Sequence, residues 1–426
     1  MKKRNILFIL CAILFSECFA ILEEPAEPIE RRVDISGYVN CKLFYDTRQI
    51  VADSFENQQV DFYPRKKNPT PTGDSNANGQ GQMLPIETRI RSTLYGPDLA
   101  DNVHAKGIIE VEFRGTTDVI NIINMRHAYG QLNINNSTLI FGQTWHPFDV
   151  VELIPNTVAF NQGRPFAVYN LSPQITYMYH APSLDVIACT TSQVDFVSDG
   201  PIGPSQKYMR DAIVPNLHFQ LKGFFGDHIA GAGIDYQRVA PRLVSDTGYK
   251  VRENLSSIAG LWYLGLKWPK IEINNTLIFG GNLSNYGLIG GYAVQQGSVN
   301  PITNTQRYTS TRTLAIWSDW TINPNDSFST GFFFGADKNC GSAKKVIPTM
   351  DDQGTIIPGT IFGRGNDIDT VFRISPRALF KIKQLVFALE VEYTRAAYGT
   401  INDHANVVDV VPVGNTQILF STFLFF

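Results

Sequence analysis

Charged residues in this chain recur at a spacing of two, and its chemistry starts from that spacing. Arg89 and Arg91, Glu110 and Glu112, and Glu390 and Glu392 are such pairs inside otherwise apolar runs. Arg373 and Arg377 lie four apart, and Lys42, Lys106 and Arg126 sit in runs of the same alternating kind. Residues two apart share one face of a strand. Each run therefore presents charge on one side and hydrocarbon on the other. Charges of both signs at this density need water around them. Such faces can orient ions and dipoles in a field; they make no bonds. Patterns for bond chemistry do not occur: there is no Gly-x-Ser-x-Gly, His-Glu-x-x-His, Walker loop or EF-hand spacing. The seven histidines are scattered, so no metal, cofactor or enzyme activity is expected from spacing.

A second group of charges sits in an unusual setting. Asp149, Glu152 and Arg164 lie in the segment 146–172, among Phe148, Val150, Leu153, Ile154, Phe160 and Phe166. A loop lying wholly in water would be more polar. This one reads as built to pack against a wall. Folded inward, its carboxylates would face Arg89, Arg91 and Arg126 and form a constriction.

The elements that must carry these residues read as strands. Sixteen segments alternate with period two: 35–46, 84–95, 103–113, 122–133, 137–145, 173–181, 183–194, 212–223, 228–238, 256–268, 271–283, 309–322, 326–337, 367–380, 384–397 and 415–426. After the first, the connections alternate long and short. Short ones include Ile134–Asn136, Ala181–Pro182 and Pro269–Lys270; long ones include 47–83, 146–172, 284–308 and 338–366. Short turns on one rim and long loops on the other mark a transmembrane barrel. An Arg or Lys facing lipid near mid-membrane costs about 2–4 kcal/mol. That penalty sets the register: Val39, Cys41, Leu43 and Tyr45 face out and Asn40 and Lys42 face in. Likewise Glu87, Arg89, Arg91, His104, Lys106, Glu110, Glu112, Asn124, Arg126, Asp369, Arg373, Arg377, Glu390 and Glu392 face the lumen. A water-filled channel follows, since sixteen strands are wide enough to leave one.

Both ends agree. The tail alternates through Ile418, Phe420, Thr422, Leu424 and Phe426, a greasy face that an open edge would expose. In a barrel it closes the sheet, with Phe420 and Phe426 as an assembly signal for the barrel-assembly machinery. At the other end Lys2, Lys3 and Arg4 precede an apolar run and Cys18-Phe19-Ala20, which reads as a signal peptide over 1–20. Glu17 before Cys18 argues against lipidation. A short periplasmic segment, 21–34, then leads into a barrel over 35–426. The formal net charge is −3, which argues against nucleic acid as a partner. Cys41, Cys189 and Cys340 make no disulfide framework.

The expected fold is all-β: a transmembrane antiparallel barrel of about 16 strands with an inward-folded third external loop. Arg126-His127-Ala128-Tyr129-Gly130, then Gly142-Gln143-Thr144-Trp145 and a long loop, resemble the DcaP-like trimeric porins of Gram-negative outer membranes. Ser36-Gly37-Tyr38-Val39 and the terminal Phe426 are similar to general porins. The resemblance implies a homotrimer in the outer membrane, touching lipid and lipopolysaccharide, that passes small hydrophilic, often anionic, solutes. It also implies an outward His127 at a subunit contact. One departure stands out: the 14 residues from Ile21 to Asp34 are too few for the coiled coil that precedes the barrel in those porins. The alternative is a barrel that works through its external loops, in adhesion or surface contact.

Overall fold

A sheet with one greasy and one charged face, placed in lipid, has to close on itself, because hydrocarbon offers no partner to an unpaired backbone N–H. The computed structural model shows that closure. It describes residues 32–52, 61–85, 87–113, 122–347 and 360–426. The expected signal peptide, most of the segment 21–34, Ile86 and residues 348–359 lie outside these.

Sixteen long strands form the barrel among the described residues. The first quarter is β1 (Arg32–Asp46), β2 (Arg89–Ala100), β3 (Val103–Phe113) and β4 (Ile123–Ile134). Next come β5 (Ser137–Trp145), β6 (Leu171–Ala181), β7 (Leu184–Thr191) and β8 (Asn216–Phe225). Then follow β9 (His228–Val239), β10 (Leu255–Trp268), β11 (Ile271–Gly281) and β12 (Tyr308–Asn325). The last are β13 (Phe328–Ser342), β14 (Ile368–Ile382), β15 (Leu385–Ile401) and β16 (Val407–Phe425). Neighbours in sequence pair antiparallel around the ring. β1 closes it against β16, from Tyr38↔Phe425 to Asp46↔Gln417.

All seven connections on one rim are two residues long, from Asp101-Asn102 to Lys383-Gln384. Asn135, Gly226 and Lys383 supply positive φ in three of them, as tight hairpins require. The opposite rim carries the long loops. Burial alternates as the register argument demands: along β8, Leu217, Phe219 and Leu221 are exposed and His218, Gln220 and Lys222 are buried. Cys41, Cys189 and Cys340 are all free thiols.

Three departures have physical causes. The segment 84–95 is not one strand. A short strand, Gln80–Leu84, pairs with the upper half of β1, and β2 starts only at Arg89. Pro85 cannot donate to the ladder, and Glu87 takes a positive φ that turns its carboxylate onto Lys42. Asp369 does not face the lumen. It falls in a bulge between Ile368 and Thr370 and meets the exposed Lys338. Nor is the lumen uniformly wet. Phe148, Leu153, Phe166, Tyr286 and Leu288 from its loops pack on Leu261, Trp317 and Phe333 of the wall, forming a dry core inside the barrel. Gly335 makes room for it: a Cβ there would lie 2.3 Å from the ring of Phe166.

The seam is finished by the last residue. Gly37 and Phe426 exchange two backbone hydrogen bonds, at 3.0 and 3.1 Å. A Cβ on Gly37 would sit 2.2 Å from the Arg89 carbonyl oxygen and 2.9 Å from the Phe426 ring. Gly37→Val should therefore strain the closing strand by about 1–3 kcal/mol. The variant is expected to unfold at lower temperature in heat-modified gel migration; an unchanged transition would show that the seam does not limit stability.

Candidate channel constriction

The wall built by β1 to β4 concentrates positive charge. A bulge sets its detail. Glu110 pairs with His127 and Val111 with Met125, so Arg126 is an extra residue on β4. A bulge breaks strict alternation, and here both Arg126 and His127 are buried on the lumen side. Arg126 donates from Nε to Glu110 at 2.8 Å and from Nη1 to Glu112 at 3.0 Å and to the Tyr169 hydroxyl at 2.7 Å. His127 Nδ1 lies 3.0 Å from the Thr144 hydroxyl. The outward His127 that the resemblance implies is thus corrected: the bulge shifts its register by one.

The remaining cations line up around the same acids. Arg89 reaches Glu112 at 3.2 Å, and Lys42 reaches Glu87 at 2.6 Å. Arg91 lies 3.5 Å from Glu110, which Arg126 already holds more closely. The Arg91 side chain is 40% exposed. Lys106 shares this face nearer the short-turn rim, level with Tyr95 and Gln131.

The loop between β5 and β6 folds into the barrel and is held by wall charges. Glu390 accepts the backbone N–H groups of Val158 and Ala159, the latter at 2.8 Å, together with the Ser375 hydroxyl. Glu392 accepts the Asn161 side-chain amide at 3.0 Å and pairs with Arg373 at 2.9 Å. Arg373 donates onward to the Arg164 carbonyl at 2.5 Å and the Phe62 carbonyl at 3.2 Å. Arg377 grips Asp319 with two bonds, at 2.7 and 2.9 Å, and Asp319 accepts the Asn156 N–H at 3.2 Å. These charges dock a loop where free pore charges were expected.

The loop's own charges are placed differently from one another. Asp149 faces the cleft shared with Arg91. Glu152 does not reach the arginines; it pairs with Lys222 of β8 at 2.5 Å. Arg164 is fully buried and donates to the carbonyls of Asn161 and Phe160 at 2.7 and 2.8 Å, with its guanidinium 3.7 Å from the centre of the Tyr169 ring. It braces the loop from within.

Between loop and wall lies a cleft of about 290 Å³. Arg91, His127, Asp149, Glu152 and Lys222 line it, with Trp145 and Tyr129. Lys222 and Asp319 were not singled out from the sequence, although the parity rule applied to β8 and β12 finds both. Phe420 and Phe426, at the tail, are exposed and do not line this cleft.

Hydrogen bonds to a charged acceptor contribute about 1.5–3 kcal/mol. Glu390→Ala leaves the Val158 and Ala159 amides without theirs. Local opening of the loop, read by limited proteolysis within 156–164, should rise about ten- to hundred-fold. An unchanged cleavage rate would show that the loop is anchored elsewhere.

No protein-family model matches the sequence, and no curated protein does. Solved structures do resemble it. The outer-membrane channel DcaP of Acinetobacter baumannii aligns with a TM-score of 0.63 at 16% identity, covering 93% of this chain and 97% of that one. An anion-selective porin from Comamonas acidovorans aligns at 0.55 and 8% identity, covering 93% and 100%. Salmonella typhi OmpF, in complex with daunomycin, aligns at 0.53 and 10%, covering 92% and 97%. At such identities the likeness is one of fold: this chain has the barrel fold of the outer-membrane porins.

Proposed function

We propose that this chain is an outer-membrane porin: a channel, not an enzyme, through which small hydrophilic solutes diffuse with a preference for anions. The observation that carries the reading is the charged cleft inside a closed barrel. On the adjoining wall of β1 to β4, Lys42, Arg89, Arg91, Lys106 and Arg126 outnumber Glu87, Glu110 and Glu112, five cations against three carboxylates. The loop acids offset this excess little, because Glu152 is taken up by Lys222 and burial pushes the Asp149 carboxyl up, toward its neutral form. Arg91 has the longest contact of these paired cations, 3.5 Å, and it lines the cleft. A passing anion would exchange some of its water for Arg91 and then move on. Low affinity suits that task, since conduction needs both entry and release.

The fold supports an outer-membrane setting. The short-turn rim would face the periplasm of a Gram-negative cell and the long loops the exterior, where they meet lipopolysaccharide. Export would use the signal peptide at 1–20, and Phe420 and Phe426 would present the last strand to the assembly machinery. A homotrimer is favoured by the wall's uneven height. β5 and β7 hold 9 and 8 residues, against 18 and 19 in β12 and β16. A strand of that length tilted near 45° falls short of the roughly 25 Å apolar band. Packing the low wall against neighbouring subunits removes the mismatch.

Planar bilayers under a salt gradient test the reading. Wild type should give stepwise ohmic current with a reversal potential on the anion side. Arg89→Ala with Arg91→Ala leaves three cations against three carboxylates and should move that potential toward cations. Absence of current would contradict the channel; an unmoved potential would remove these arginines from selectivity.

A further inference from the structure

Three buried side chains on three separate elements converge where the constriction loop leaves the wall. They are His146, the first residue after β5, His218 on β8 and Asp235 on β9. All are at most 3% exposed. His146 Nε2 and His218 Nδ1 each lie 3.4 Å from Asp235 Oδ2. These three atoms make no hydrogen bond among the described residues. Buried polar atoms are seldom left so.

The surrounding hydrogen bonds fix what His218 offers. The Tyr263 hydroxyl donates to the Leu221 carbonyl and accepts from the Gln220 amide nitrogen, at 3.3 and 2.8 Å. Gln220 Oε1 therefore faces His218 Nε2, at 2.9 Å, and accepts its proton. Nδ1 is left with a lone pair, aimed at a carboxylate oxygen that also carries lone pairs. Two acceptors held at 3.4 Å call for a cation between them. Asp235 Oδ1 is meanwhile held by the Tyr286 hydroxyl.

We infer that His146, His218 and Asp235 form a binding site for a divalent transition metal of the zinc class. Two imidazoles and a carboxylate suit that ion, with a fourth position for water. The two His–Asp spacings fit as well, and all three ligand atoms lie within 4.8 Å of one another. A tetrahedral ion with bonds of about 2.1 Å sets its ligand atoms about 3.4 Å apart. Gln220 behind His218 and Tyr286 behind Asp235 are the outer partners that hold ligands in place at such sites. In the present arrangement His146 Nδ1 accepts the Phe148 N–H at 3.0 Å. Coordination through Nε2 moves the ring proton to Nδ1, so this contact is released and the root of the loop re-seats. Metal loading and loop position are thereby coupled. The inference concerns the loop's anchor and stands whether or not the barrel conducts.

The test uses the full chain, purified in detergent and stripped with chelator. Exposed to Zn²⁺ and desalted, it should retain one ion per chain by atomic emission. Co²⁺ in its place should give the visible bands of a tetrahedral site. His218→Ala and Asp235→Asn should lower Zn²⁺ affinity at least a hundred-fold, with His180→Ala on the short-turn side as an unaffected control. Gln220→Leu keeps all three ligands and should lower it about ten- to hundred-fold, which covers the case where a ligand variant fails to fold. Overturning results are wild type without bound Zn²⁺ or Co²⁺ bands, or ligand variants that bind as wild type does. A proton shared between His218 and Asp235 would then be all that the site holds.

Discussion

The constraint on which this molecule depends is that a strand in hydrocarbon must hydrogen-bond on both edges. One seam therefore decides whether there is a barrel. β1 and β16 come from opposite ends of the chain, yet they pair over nine positions from Tyr38 to Asp46. The terminal Phe426 extends the ladder past the last strand by bonding Gly37. Closure fixes which face of every strand meets lipid, and so which charges must face inward. The charged lumen is a consequence of the seam.

Inside, the charges divide into two populations. On β12 to β15 they are spent on structure. Glu390, Glu392, Arg373 and Asp319 hold the backbone and amides of the inward loop. Ion pairs of this kind are costly to desolvate and suited to fixing a geometry. On β2 to β4 and β8 they lie beside the cleft, where Glu110, Glu112, Arg126 and Lys222 are buried as well. The same residue types thus serve two ends, and Arg91 is the one that opens to water, its side chain 40% exposed where Arg373 is sealed. The aromatic core between loop and wall stiffens the partition.

Much of the fold was legible in the sequence. The strands at 103–113 and 137–145 begin and end where expected, since a charge in lipid is so costly that alternation must be strict. Facing was legible for the same reason. Bulges were not. Nothing in the composition near Met125-Arg126-His127 announces an extra residue, and one such residue moves His127 from lipid to lumen. Partners were the other blind spot. Glu152 meets Lys222 and Arg164 turns onto its own loop because of three-dimensional packing, which spacing does not encode. The His146, His218 and Asp235 cluster is invisible to motif reading on the same ground: its members are neighbours only after β8 and β9 pair and the loop root folds between them.

Closure and an inward-held loop can be read together in one experiment, hydrogen–deuterium exchange of the protein in lipid nanodiscs. Seam amides from Val39 to Tyr45 and from Ile418 to Leu424 should exchange as slowly as those in the middle of the sheet, and the Val158 and Ala159 amides should share that protection. Seam amides that exchange as fast as those of the external loops would mean an open sheet, and the account of the lumen would fail with it.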